Sequence, residues 1–270
     1  MPDRDIPTEL GTLRVRVTGT GPAMLLWPSL LMDHTLWDAQ VAYFAERFTT
    51  VAVDPPGHGA STPLDRPFTF GECAHCVGRI LDTLDIERAH IVGNSWGAMI
   101  GATFAALYPE RVLTAVLMNG TAAPAGTRQR LEYGALLALA RLLGGFRGPL
   151  VGSALAAFLG PTTMRTRPAV VEKVGRTVRA ADIGSVRHAV RSVVVRRPDQ
   201  RQLLSRIRTP TLIVGGRQDA TFPPAEVEEM ARSVPGAELS FLEDAAHLLA
   251  IEVPDAVNAL IDDFLRRHGH

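Results

Sequence analysis

The chain has 270 residues, 46% hydrophobic and 21% charged, enough apolar material for a large folded core and too much for a disordered chain. Basic and acidic residues balance at 28 each, so the overall charge argues against a nucleic-acid partner. Two cysteines, Cys73 and Cys76, exclude a disulfide framework.

The opening "MPDRDIPTELG" is charged and lacks an apolar run, so no signal peptide is read there. "GTLRVRVTG" (11–19) alternates and predicts a strand. "AMLLWP" (23–28) is a continuous apolar run, the pattern of a strand buried on both faces. "HTLWDAQVAYFAERF" places Leu36, Trp37, Val41 and Phe44 at helical spacing. "TTVAVDPPGHG" reads as a strand followed by a Gly/Pro turn, and "FTFGECAHCVGRILDTL" as a helix. "AHIVGN" predicts a strand, 96–108 a helix stopped by Pro109, and "VLTAVLMNG" another strand. Further on, "TPTLIVGG" (209–216) and "AELSFLE" (237–243) are strands, and "PDAVNALIDDFLRRH" is a closing amphipathic helix.

Strands alternating with helices predict the α/β class, with a mostly parallel sheet flanked by helices. The interval 121–208 breaks this rhythm with helical patterns and no good buried strand. It holds 15 arginines and Lys173 against Glu132, Glu172, Asp182 and Asp199, a net +12 against −12 for the remainder. It is read as a helical cap, or lid, inserted into a core domain made of 1–120 and 209–270. The apolar stretches "ALLALARLLGG" and "LVGSALAAFLG" are 11 residues each, short of the ~20 a spanning helix needs. No membrane partner is expected, and a cytoplasmic location is the default.

The stretch "HIVGNSWGAMIG" (90–101) carries the chemistry. A Gly-x-Ser-x-Gly turn between strand and helix is a nucleophile elbow. It exposes the Ser95 hydroxyl at the carboxyl edge of the sheet and aims a helix N-terminus at it. A serine needs a base, and the base an orienting acid. His247, after the last strand, and Asp219, after "LIVGGRQ", lie at such edges in the order Ser, Asp, His. The competing acid position after the strand 112–118 reads Asn119-Gly120, which leaves Asp219.

Five stretches, "LLWPSLLMDHTLWDAQ", "VDPPGHGAS", "GNSWG", "GGRQDATFPP" and "AAHLLAIEVPDAVNALIDDFL", resemble the α/β-hydrolases over essentially the whole chain. The loop "SLLMDHTLWDAQ" is most similar to the 3-oxoadipate enol-lactonase branch, in Ser29, Leu30, Asp33, Trp37 and Asp38. The chain departs from the family at Pro28-Ser29, where His-Gly is usual, and from that branch at Leu31 and Pro56. The resemblance implies an α/β-hydrolase fold and catalytic residues Ser95, Asp219 and His247. Backbone N–H groups of Leu30 and Trp96 would form the oxyanion hole. Ser29, His34 and Trp96 are candidate substrate-binding residues, and His58 is a structural turn residue. In that reading the chain hydrolyses a small-molecule carboxylic ester, lactone or thioester through an acyl-enzyme, with no cofactor or metal.

Three alternatives stay open. Asn94 fits carbon–carbon bond hydrolases of this fold, cofactor-free haloperoxidases share the triad, and a non-catalytic ligand receptor would keep the fold alone. Cys73 and Cys76 read as packing residues, because no second pair completes a zinc site. The cap arginines read as a solvated face or as partners of the acidic core, with one or more facing an anionic substrate as the sharper expectation.

Overall fold

The computed structural model describes residues 3–270. In chain order its strands are β1 (Asp3–Thr8), β2 (Gly11–Thr18), β3 (Ala23–Trp27), β4 (Thr49–Val53), β5 (Ala89–Asn94), β6 (Val112–Met118), β7 (Thr211–Gly216) and β8 (Glu238–Leu242). They form one sheet in the order β1-β2-β4-β3-β5-β6-β7-β8. β1 and β2 pair antiparallel, as do β2 and β4, and every other pairing is parallel. Every residue of β3, β5 and β7 is buried. Runs such as "AMLLW" suit a strand covered by helices on both faces.

Parallel neighbours need crossovers, and helices supply them. These are α1 (Asp38–Phe44), α2 (Phe70–Thr83) and α3 (Trp96–Leu107). α2 begins in a capping box, where Thr69 Oγ1 accepts from Glu72 N and Glu72 accepts from Thr69 N. Cys73 and Cys76 are buried free thiols on its inner face. Burial pushes the Cys76 thiol up to about 12, which fits packing rather than reactivity.

Between β6 and β7 lie α4 (Thr127–Leu142), α5 (Pro149–Phe158), α6 (Pro161–Thr166), α7 (Pro168–Ala180), α8 (Ile183–Val190), a π turn at Arg191–Val195 and α9 (Arg201–Leu204). The elements of this interval among the described residues are all helical. It is fastened to the sheet side by polar contacts. Ser185 Oγ and Ser192 Oγ accept from Leu64 N and Phe68 N at 2.8 Å. Lys173 pairs with Asp38, and Arg201 with Glu229. α10 (Pro224–Ser233), α11 (Leu249–Glu252) and α12 (Pro254–Arg267) complete the chain.

β1 and α10 lie beyond the sequence reading. β1 has one buried residue, Ile6, and is held to β2 by ladder bonds and by the pairs Arg14–Asp5 and Arg16–Asp3. An edge strand with so little apolar content has no hydrophobic signature. α10 buries Val227 and Met230 on its inner face, with too short an apolar pattern to stand out in the sequence.

His90 is wholly buried at the start of β5, its Nδ1 2.8 Å from Thr114 Oγ1 and its Nε2 without a protein partner among the described residues. Burial, with His270 and Arg88 nearby, pulls its pKa down to about 4. A depressed histidine contributes stability above its unfolded value, and that stability is lost as pH falls below 6.5. His90 is expected to cost about 2 kcal/mol of stability between pH 7.5 and 5. Urea unfolding at the two pH values checks this, and His90→Leu should show a shallower loss. An equal loss in both proteins would contradict it.

Candidate active site

The sharp turn after β5 is built by close approach. A Cβ on Gly97 would stand 1.9 Å from Trp27 O, and one on Gly93 2.2 Å from the Gly97 carbonyl. Only glycines let α3 pack this tightly against the strands. Between them Ser95 adopts φ 56°, ψ −109°, a strained conformation for a side chain-bearing residue. Its N–H donates to Met118 O at 2.7 Å, which pins the turn to β6. The hydroxyl is thereby held at the N-terminus of α3.

The structure brings together the three residues that the chain order predicted. Ser95 Oγ lies 2.7 Å from His247 Nε2, and His247 Nδ1 lies 2.8 Å from Asp219 Oδ2. All three are buried. Asp219 Oδ1 accepts from Thr221 N at 2.8 Å and Phe222 N at 3.1 Å, so its second oxygen is free to orient the imidazole. With Nδ1–H bonded to the carboxylate, Nε2 is the acceptor for the serine proton. The ring is flanked by Phe158, stacked at 5.9 Å, and Phe222, edge-on at 5.4 Å.

A further set of groups holds the His247 loop. Asn94 Nδ2 donates to His247 O at 2.8 Å. Asn119 Nδ2 donates to Ala246 O and His247 O, while its Oδ1 accepts from Gly216 N. Glu252 has no exposed surface. Its Oε1 accepts from Ala246 N and Leu248 N, and its Oε2 from Gly160 N and Thr163 Oγ1. Sequence reasoning missed Asn119 and Glu252 as positioning residues. Asn94 belongs to this loop support, which accounts for it without carbon–carbon chemistry.

Leu30 N and Trp96 N donate to no protein acceptor among the described residues. Trp96 N opens α3 next to Ser95, and Leu30 shares the cavity with Ser95. The Leu30 loop turns back through Leu31, which takes φ 65°. His58 supports that turn. Its Nε2 accepts from Leu31 N at 3.1 Å, and its Nδ1 stands 3.0 Å from Pro56 O. Burial holds His58 below the ordinary histidine range, consistent with a neutral ring that accepts at Nε2.

The cavity beside Ser95 occupies about 870 Å³, counting the part open to solvent. Leu31, Met99, Leu137, Phe146, Val193 and Phe222 are among its mostly apolar walls. Of the three candidate substrate-binding side chains, none lines it, which corrects that expectation. The His34 ring turns to Asp54, with Nδ1 2.7 Å from Oδ1. That bond raises the His34 pKa, and it helps hold the buried Asp54 below the usual carboxylate range. Ser29 is fully buried beneath the loop. The Trp96 indole packs inward, stacked on Phe68 at 5.6 Å and against His58 at 5.3 Å, so only its backbone faces the site.

Asp33, His34 and Asp54 are the one group of potential metal ligands among the described residues. Three of their four carboxylate oxygens are already engaged: Asp33 Oδ1 caps Thr35, and Asp54 accepts from His34 and Ala60. The cluster braces the loop that carries Leu30.

Instead, the cavity holds a group that no spacing could single out. Arg197 is 4% exposed and lines the wall. Its Nε donates to Ala123 O at 2.9 Å, its Nη2 to Gln129 Oε1 at 3.0 Å, and its guanidinium lies 5.2 Å from the Phe222 ring centre.

Comparison with known proteins identifies the fold. Residues 22–254 match the alpha/beta hydrolase fold family. The chain is 28% identical to 3-oxoadipate enol-lactonase 2 of Acinetobacter baylyi over 246 residues, 91% of this chain and 89% of the relative. A solved thermophilic esterase from Thermogutta terrifontis superposes with a TM-score of 0.90 at 26% identity, covering 100% of both chains. The enol-lactonase of Burkholderia xenovorans superposes with a TM-score of 0.90 at 26% identity, covering 97% of this chain and 100% of its own. The chain therefore belongs to the α/β-hydrolase fold family, as an enzyme of the hydrolase, esterase type.

Proposed function

We propose that the chain is a serine hydrolase that cleaves a carboxylic ester, lactone or thioester through an acyl-enzyme on Ser95. The observation that carries this reading is the continuous relay from Ser95 Oγ to His247 to Asp219, at 2.7 and 2.8 Å. His247 Nε2 takes the hydroxyl proton as Ser95 Oγ bonds to the substrate carbonyl carbon. The carbonyl oxygen becomes an oxyanion held by Leu30 N–H and Trp96 N–H, and each such donor contributes about 3 kcal/mol. The tetrahedral adduct collapses, and the imidazolium gives its proton to the leaving alkoxide or thiolate. Water, deprotonated by His247, then attacks the acyl-enzyme, releasing the acid and restoring Ser95. The helical interval 121–208 is the cap in this reading, since α4, α5 and the π turn supply most of the cavity wall.

The substrate is apolar in body and carries a carboxylate. The walls support the first part. Arg197 supports the second: a guanidinium buried in the cavity, with no carboxylate within 4 Å among the described residues, is matched by an anionic ligand. Arg197 and His247 line the same cavity and stand 5.2 and 5.4 Å from the Phe222 ring centre, so the carboxylate and the scissile carbonyl occupy one cavity.

A panel of esters, lactones and thioesters, each as free carboxylate and as methyl ester, tests both parts. Arg197→Met is expected to lower kcat/KM for the carboxylate form about 10- to 100-fold while leaving the methyl ester within about threefold. An unchanged preference would remove the anionic substrate and leave the nucleophile untouched. No turnover across the whole panel would count against the hydrolase reading itself.

A further inference from the structure

α4 has two apolar faces. Gln129, Tyr133, Leu136 and Leu137 line the cavity. At 100° per residue, Leu131, Ala135, Ala138, Leu139 and Leu142 fall on the opposite side. Leu131 is 71% exposed and Leu142 82%, with Leu139 and Leu143 also open to solvent. These four account for half of the large exposed apolar side chains among the described residues, all within 131–143. A contiguous apolar strip of this kind on a soluble surface marks a place where something docks.

The charge around the strip says what. Arg128, Arg130, Arg141 and Arg147 are all exposed, and Glu132 is the only acid on the helix. The ion pairs made by the basic residues of 121–208 are Lys173–Asp38, Arg176–Glu172, Arg201–Asp199 and Arg201–Glu229. Among the described residues, none of the four arginines beside the leucines has a carboxylate partner within 4 Å. A leucine strip bordered by unpaired arginines matches the boundary between acyl chains and anionic headgroups. A second copy of this chain would bring like charges together across the same face. No helix among the described residues is long and apolar enough to cross a bilayer, so the contact is peripheral.

We propose that the outer face of α4 docks the enzyme on an anionic lipid bilayer. Leu131 and Leu142 enter the acyl boundary, and the arginines meet the headgroups. The cavity then lies directly behind the docked helix, positioned for substrates that partition from lipid. The surface does not depend on the Ser95 mechanism, and its test is separate.

The test is co-sedimentation of the full chain with phosphatidylcholine vesicles, with and without one-third phosphatidylglycerol, at low and moderate salt. The wild-type chain should bind the anionic vesicles at least tenfold more strongly and weaken with salt. Leu131→Ser/Leu142→Ser and, separately, Arg128→Gln/Arg141→Gln should each lose about tenfold in binding. Both variants should keep wild-type thermal unfolding and wild-type hydrolysis of a water-soluble ester, since none of these residues lines the cavity. Three results would overturn the proposal: no binding to anionic vesicles, binding that both double variants retain, or a dimer in solution that the leucine variant abolishes.

Discussion

Ser95→Ala is expected to lower kcat by about 10⁴- to 10⁶-fold, with little change in thermal stability. The size follows from the relay. Removing the hydroxyl leaves His247 and Asp219 in place but nothing for the base to activate, and residual rate comes from the oxyanion donors alone. Folding should survive because Ser95 contributes its strained backbone rather than packing. Its N–H bond to Met118 O is retained by alanine, and the strain is carried by the close approach of Gly93 and Gly97. Steady-state kinetics on the best substrate of the panel, with binding verified, checks the rate. Circular dichroism melting checks the fold. Activity within tenfold of the parent would remove Ser95 from the mechanism.

Asp219→Asn is the second large effect, about 10⁴-fold in kcat. An amide is nearly the size of a carboxylate and can keep its oxygen toward Thr221 N and Phe222 N, as Oδ1 does now. Its NH2 then faces His247 Nδ1, where an acceptor is required. The ring is driven to the tautomer that carries its proton on Nε2, facing Ser95 Oγ. The defect should therefore lie in kcat, with KM nearly unchanged, because no substrate-facing wall is altered. A large rise in KM with kcat preserved would recast Asp219 as a binding group. A parallel comparison with Asp244→Asn, at an exposed position, should find that variant close to wild type.

The sheet and the relay were legible because their signals are local. Continuous apolar runs predict β3, β5 and β7, and the elbow writes its steric needs in two glycines around one serine. Asp219 and His247 each follow a buried strand, so chain order reaches them as well. The groups that hold the His247 loop were not legible. Glu252 lies in an ordinary helical stretch, and its four hydrogen bonds tie the nearby histidine loop, through Ala246 N and Leu248 N, to the distant Gly160–Thr163 segment. Asn119 was seen only as the absence of an acid, whereas its side chain ties β7 to the histidine loop.

Side-chain direction explains the substrate-binding misses. Ser29 and His34 flank the Leu30 loop in sequence and Trp96 follows Ser95, but Asp54 captures His34 and the core takes the Trp96 indole. Arg197 is one of 15 arginines in its segment. Nothing in the spacing separates the one that turns inward from those in solvent. Its partners Ala123 and Gln129 lie about 70 residues earlier in the chain. β1 escaped for the reverse reason, since its ladder partners stabilise a segment with almost no apolar pattern.

The most direct measurement is the intact mass of the protein after brief exposure to a fluorophosphonate, followed by peptide mapping. A relay that activates one serine predicts a single adduct, on Ser95, formed quickly in the wild type. Ser95→Ala should form none, and His247→Gln should form it at least 100-fold more slowly. An adduct on another residue, or a wild-type chain that stays unlabelled while folded, would contradict the assignment of Ser95 as an activated nucleophile.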